Sequence, residues 1–230
     1  MGDQGFADAR ALDIGDWVGA AGTVMATTTG ELSVATSSMA LLGKALRTLP
    51  TKGHGLTDAE TRFRQRYMDL VLNPESRRVA DVRQRTVAAI REFLGGRGYV
   101  EVETPVLQSD AGGATARPFI THHNALNIEM YLRIALELYL KRLIAGGYEK
   151  VFEMGRVFRN EGLDTRHNPE FTMLEAYEAL ADYHDMMDLT EQMVAHAAMA
   201  ANGTTVIQID GQPVDLAPPW RRATMYELIK

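Results

Sequence analysis

Between Val151 and Tyr177, apolar and polar residues alternate in two runs separated by a charge-rich loop. Successive side chains of a strand point to opposite faces. In Val151–Arg159 this puts Phe152, Met154 and Phe158 on one face, and Glu153, Val157 and Arg159 on the other. In Glu170–Tyr177 it aligns Phe171, Met173, Glu175 and Tyr177, with Leu174 and Ala176 pointing away. Paired as an antiparallel hairpin, the two runs set the loop Asn160–Pro169 above a platform of guanidinium, carboxylate and aromatic ring. Such a platform suits a nucleotide. It equally suits a solvated sheet face, on which cross-strand charge pairs contribute only ~0.2–1 kcal/mol each.

Elsewhere the period changes. Asn73-Pro74-Glu75 supplies a capping residue and a first-turn proline for a helix on which Val79, Val82, Val87, Ile90 and Leu94 recur at helical spacing, and Gly95-Gly96 ends it. Tyr99–Pro105 reads as a strand stopped by a proline that has no N–H to donate. Tyr183–Ala200 is a methionine-rich helix with Met186, Met193 and Ala197 on one side, where methionine fills core space. Asp210-Gly211 joins Thr204–Ile209 to Gln212–Leu216 as a hairpin, and Gly30 joins Trp17–Met25 to Glu31–Thr36 as another. Thr224-Met225-Tyr226-Glu227 is a capping-box pattern. Only Leu228, Ile229 and Lys230 follow it, far fewer than the ~12–15 residues a lone helix needs, so the sequence reads as cut short.

With 230 residues, the chain has room for one large domain and a small one. No apolar run approaches the roughly 18 residues of a membrane span, and no secretory leader pattern opens the chain, so no membrane partner and a cytoplasmic location are expected. The absence of cysteine excludes disulfides and thiolate metal sites. His122 and His123, being adjacent on a strand, face opposite ways and do not share a metal. A net charge of −6 argues against general adhesion to nucleic acid. Arg62, Arg64 and Arg66 still form a local basic cluster. Arg77, Arg78, Arg83, Arg85 and Arg91 read as a solvated helix surface.

Phe158-Arg159-Asn160-Glu161 followed by Arg166-His167-Asn168-Pro169-Glu170-Phe171-Thr172 resembles motif 2 of the class II aminoacyl-tRNA synthetases. Three further blocks resemble the lysyl branch: Arg64–Leu70, Gly112–Phe119, and Tyr131–Ile134 leading to Glu137–Leu143. The similarity runs from about Gly15 to the last residue, with the blocks in the family's order and spacing. It implies an α+β fold: a class II synthetase-like antiparallel sheet with flanking helices, preceded by a partial OB-fold β-barrel that binds the tRNA anticodon. The implied organisation is residues 1–50 as the closing part of that barrel, 51–62 as a linker and 63–230 as the first part of the catalytic domain. The helix from Asn73 and the strand ending at Pro105 resemble motif 1, which builds a homodimer interface in this class. No Gly-x-Gly-x-Asp/Glu-Arg segment like motif 3 occurs, so a fragment that is inactive by itself is expected.

The resemblance also assigns roles. Arg159 matches the catalytic arginine that contacts both the ATP α-phosphate and the lysine carboxylate. Phe171 matches the residue that stacks on adenine, Glu161 lies where the base's amino edge is read, and His167 falls beside the terminal phosphates. Glu137, with the Gly113 backbone, matches the receiver of the α-amino group. Glu175 and Tyr177 match the receivers of the side-chain ammonium. Leu136 departs from the family, whose members often show proline there. ATP, L-lysine and tRNA(Lys) are the implied substrates, and Mg2+ is the implied ion, with ligands outside this sequence. A relative that attaches lysine to a protein, or a non-catalytic tRNA-binding relative, is the competing reading. Residues Gly15–Pro50 speak against the former, and the retained Glu137, Arg159, Phe171, Glu175 and Tyr177 against the latter.

Overall fold

In the computed structural model of the chain, β1 (Trp17–Ala26) pairs antiparallel with β2 (Leu32–Gly43). The structure describes residues 9–47, 49, 55–162, 164 and 166–229. β2 runs past the predicted Thr36 to Gly43, because its residues keep finding ladder partners as far as Trp17. At the register shift between Ala21 and Gly22 the strands close so tightly that a Cβ on Gly22 would overlap the Ala35 carbonyl oxygen. The turn closes as expected: the Gly30 N–H donates to the Thr27 carbonyl at 2.9 Å, with Gly30 at φ +84°. Among the described residues this OB-like hairpin stays two-stranded and no barrel closes. Residues 51–54 of the linker expected over 51–62 lie outside the described residues.

The chain divides into two compact units, one up to Arg77 and one from Arg78 onward. Besides the hairpin, the first unit contains α1 (Ala59–Arg64), α2 (Arg66–Leu72) and the opening of α3 (Pro74–Gly96). Its polar centre is Asp69, whose side chain is fully buried. Arg62 Nε donates to Asp69 at 2.7 Å, Arg66 Nη1 at 2.5 Å and Asn73 Nδ2 at 2.6 Å. Burial works to raise the pKa of this carboxyl, but hydrogen bonds from Asn73, Ser76, Arg62 and Arg66 outweigh it and hold the group well below the usual carboxylate range. The basic cluster is therefore internally neutralised, since Arg64 also pairs with Glu60 at 2.8 Å. Asn73 stands directly before α3, as expected, and its side-chain amide N–H groups donate to Asp69 and, at 3.0 Å, to the Leu56 carbonyl.

In the second unit, α3 runs through Gly95 and Gly96 rather than stopping at them. The reversal comes at Gly98, at φ +81°. Tyr99 N–H donates to the Leu94 carbonyl at 3.1 Å and Gly98 N–H to that of Gly95 at 3.0 Å, the two bonds of a Schellman ending. The strand expected over Tyr99–Pro105 shrinks to β3 (Val100–Glu101). It pairs parallel to β7 (Lys150–Phe158). After Val102 bonds to Phe152, the chain leaves the ladder and Thr104 turns its hydroxyl to Glu153. The central sheet is β3-β7-β8, with β8 (Glu170–Glu178) antiparallel to β7. A second sheet contains β4 (Leu107–Gln108), β6 (Ile128–Leu132) and β5 (Ile120–His123), in that order.

Helix α4 (Glu137–Ala145) follows β6. Helix α5 (Tyr183–Asn202) starts at an Asp182/Asp185 capping box. The predicted Asp210-Gly211 turn joins β9 (Val206–Ile209) to β10 (Gln212–Asp215), both turn residues having positive φ. The Thr224/Glu227 capping box opens α6 (Met225–Ile229), the Thr224 N–H donating to Glu227 at 2.7 Å.

Two apolar clusters flank the central sheet. Phe152 packs with Leu94, Tyr99 and Leu189, joined by Leu174, Ala176, Met186 and Met193. On the other side Val151 and Val157 pack with Leu136 and Leu140, joined by Phe171, Met173 and Tyr177. At roughly 1.5–3 kcal/mol for each large side chain fully buried, both clusters hold the β7–β8 register. The mixed α+β class with antiparallel pairing is the expected one.

Two outcomes follow from this packing. A Cβ on Gly98 meets no neighbour, so Gly98→Ala carries only the left-handed strain and should lower unfolding free energy by about 1 kcal/mol in urea titrations. Because Asp69 has a depressed folded-state value, its stabilisation is complete above about pH 4 and fades as pH falls below it. In a series of urea midpoints against pH, Asp69→Asn should flatten that acid limb.

Candidate active site

Across the β7–β8 ladder Val151 faces Tyr177, Glu153 faces Glu175, Gly155 faces Met173 and Val157 faces Phe171. The ladder is prolonged by the Arg159 N–H, which donates to the Pro169 carbonyl at 2.8 Å. Arg159 therefore shares one face with Phe171, Glu175 and Tyr177, the arrangement that side-chain alternation predicts. Its guanidinium carbon lies 5.3 Å from the centre of the Phe171 ring.

At the Arg159 end a cleft of about 670 Å³ opens, lined by Arg159, Glu161, His167 and Phe171 together with Asp164 and Asn168. All four residues expected at a nucleotide thus border one cavity. Asp164 organises its rim: Oδ1 accepts the Arg166 and His167 N–H groups at 2.6 and 2.9 Å, and Oδ2 lies 2.7 Å from His167 Nδ1. The Arg166 N–H, then the His167 ring, hold the Asp164 carboxyl below its ordinary range. Glu161 accepts the Arg117 N–H at 3.3 Å, and the Asn160 N–H donates to the Arg117 carbonyl at 2.7 Å.

The other end is acidic. Glu175 Oε2 accepts the Tyr177 hydroxyl at 2.9 Å, and Oε1 accepts the Leu136 N–H at 3.0 Å. Burial first, then the hydrogen bond and charge of Glu175, and last the charge of Glu137, push the Tyr177 phenol well above its ordinary range, so it remains a neutral donor. Glu137 is the first residue of α4, and its Oε1 lies 2.5 Å from Lys141 Nζ. Gly113, at φ +88°, comes so close that a Cβ there would sit 3.1 Å from the Cβ atoms of both Ala135 and Glu137. Gly113, Glu137, Glu175 and Tyr177 accordingly gather at one end of the face. On the order of 20 Å of strand, at about 3.3 Å per residue, separates the position opposite Glu175 from Arg159.

A strap over 133–136, buried throughout, bridges the two ends. Its Ile134 carbonyl accepts from Arg159 Nε at 3.4 Å, while its Leu136 N–H holds Glu175. The sequence reading gave this strap no role. One signal was present: an arginine inside the apolar run Leu132–Leu136 must find a buried partner. The Asp164–His167 contact was also missed, although an aspartate followed by free backbone N–H groups is a local turn signature. Among the described residues no three imidazole or carboxylate groups converge as a metal site requires. Nor is any described helix long and apolar enough to cross a membrane.

The face thus carries a cationic, aromatic cleft at one end and a carboxylate–phenol pair at the other. Residues 58–230 match the family model described as tRNA synthetases class II (D, K and N), and the chain belongs to that family. It is 58% identical over 230 residues, all of this chain and 46% of the relative, to the lysine–tRNA ligase of Thermoanaerobacter sp. (strain X514). It is 61% identical over 219 residues, 95% of this chain and 45% of the relative, to that of Moorella thermoacetica (strain ATCC 39073 / JCM 9320). With the lysine–tRNA ligase of Bacillus subtilis (strain 168) the identity is 56% over 230 residues, again all of this chain and 46% of the relative. The chain spans about half the length of the curated relatives it matches.

The raised Tyr177 value has a measurable consequence. In difference titrations of wild type against Tyr177→Phe, phenolate absorbance from this residue should appear only well above pH ~10. Glu175→Gln should bring it back toward that value. An ordinary titration in the wild type would mean that the phenol is not held by Glu175.

Proposed function

We propose that this chain carries the lysine- and ATP-binding half-site of a lysine–tRNA ligase. Glu175 carries the reading: both its oxygens accept hydrogen bonds from neutral donors, and among the described residues no cation pairs with it. Its charge is left for a ligand, and a substrate ammonium seated there gains a charge-assisted bond. A long amino acid suits this face, since its ammonium must reach Glu175 and Tyr177 while its carboxylate stays at the Arg159 guanidinium, and the Ile134 carbonyl and Leu136 N–H that meet Arg159 and Glu175 are only two residues apart. Shorter or neutral side chains leave Glu175 unpaired. Glu137 and the Gly113 backbone take the α-amino group.

In the proposed reaction an oxygen of the lysine carboxylate attacks the α-phosphorus of ATP. The bond to the bridging oxygen breaks, pyrophosphate leaves, and lysyl-adenylate forms. A terminal ribose hydroxyl of tRNA(Lys) then attacks the activated carbonyl, AMP leaves, and the hydroxyl proton passes to solvent. No nucleophilic side chain is needed; positioning and charge stabilisation carry the step. Arg159 suits this because its planar fork bonds the carboxylate and the α-phosphate together. Phe171 stacks on adenine, Glu161 reads the base's amino edge, and His167 meets the terminal phosphates. The division into barrel residues 1–50, linker 51–62 and catalytic residues 63–230 belongs to the same proposal. So do anticodon contacts by the β1–β2 hairpin and homodimerisation through α3 and β3.

ATP–pyrophosphate exchange with each of the twenty amino acids, using the natural gene product that contains these residues, tests the assignment. Lysine should be preferred. Arg159→Ala should lower kcat by about 10²–10³-fold, and Glu175→Gln should raise the lysine KM by about 10- to 100-fold. Exchange favouring aspartate or asparagine would refute the substrate.

A further inference from the structure

Arg133 and Glu153 form an ion pair in which each side chain is only 4% exposed, with Nη1 2.5 Å from Oε1. Such a pair adds little net stability, because the lost hydration of two charges offsets their attraction. What it fixes is position. Arg133 Nε donates to the Arg156 carbonyl at 2.7 Å and Nη1 to the Thr104 carbonyl at 3.0 Å, while the Thr104 hydroxyl donates to Glu153 Oε2 at 2.5 Å. The main chain of Arg133 is held on both sides, its N–H by the Val106 carbonyl and its carbonyl by the Phe158 N–H, each at 2.9 Å. Gly155 leaves the space for the guanidinium, since a Cβ there would overlap Nη2.

Immediately after this anchor come the Ile134 carbonyl bonded to Arg159, the Leu136 N–H bonded to Glu175, and Glu137 itself. Groups at the amino-acid end of the face thus depend on where the strap lies. Glu161 and His167, at the nucleotide end, are held by Arg117 and Asp164 instead. We propose that Arg133, locked by Glu153 and Thr104 against Gly155, is a positioning residue for the amino-acid pocket. It acts through the Leu136 N–H on Glu175 and through the start of the helix that carries Glu137. This inference rests on the lysine-activating reading above.

The test is amino-acid-dependent ATP–pyrophosphate exchange by the natural gene product, with KM measured separately for lysine and ATP. Two variants are compared with wild type. Gly155→Ala drives a methyl group against the guanidinium. The double variant Arg133→Met with Glu153→Met removes both charges, so that neither is buried alone. Each should raise the lysine KM about tenfold or more while the ATP KM stays within about twofold, the signature of a misplaced pocket. A merely structural pair would lower the active fraction and leave both KM values unchanged, and that result, or an equal rise in both, would overturn the proposal. Thr104→Val removes only the hydroxyl bridge. It should show a smaller rise in the lysine KM alone, and it decides the matter if the other two variants fail to fold: an unchanged lysine KM overturns the role. If wild type prefers another amino acid, the substrate reading fails, and the same comparison made with that amino acid still decides the role of Arg133.

Discussion

Glu153 opposes Glu175 and Val157 opposes Phe171 across the β7–β8 ladder, and this register decides which chemistry the sheet presents. Slipping one strand by a single residue would turn Glu175 and Tyr177 into the cluster around Phe152 and Leu189, and bring Leu174 and Ala176 into the pocket. Burial on both faces opposes that slip. So does the polar anchor at Arg133, which fits only where Gly155 lacks a side chain.

Three carboxylates lie along or beside this face, and their surroundings separate them. Glu153 is neutralised by a buried guanidinium and becomes part of the scaffold. Glu137 has a flexible lysine one helical turn away, an exposed pair of the kind that contributes little. Among the described residues Glu175 accepts only from neutral donors, which leaves it open to a cationic ligand. The same side chain type thus serves as strut, helix-end charge and recognition group. Its role is set by which donor the fold brings within about 3 Å.

Much of the local structure was legible because local physics governs it. Alternation placed Arg159, Phe171, Glu175 and Tyr177 on one face, and the ladder keeps them there. The Asp210-Gly211 turn, the Thr224/Glu227 capping box and the helix carrying Met186 and Met193 were equally readable, since each depends on residues close in sequence. Where tertiary contacts compete, the local rule failed. Gly98 rather than Gly95 and Gly96 reverses the chain, and the strand from Tyr99 ends early as Thr104 turns to Glu153.

By itself the sequence determined the faces of β7 and β8, the identity of the charged groups on them and the family to which their motifs correspond. Only the tertiary structure decided that Arg133 neutralises Glu153 and that the Leu136 N–H steadies Glu175. Those partners lie 20 and 39 residues apart along the chain. Side-chain periodicity repeats over two to four residues and carries no information about such distances. They are set when the strap packs against the sheet and each buried polar group must find a partner.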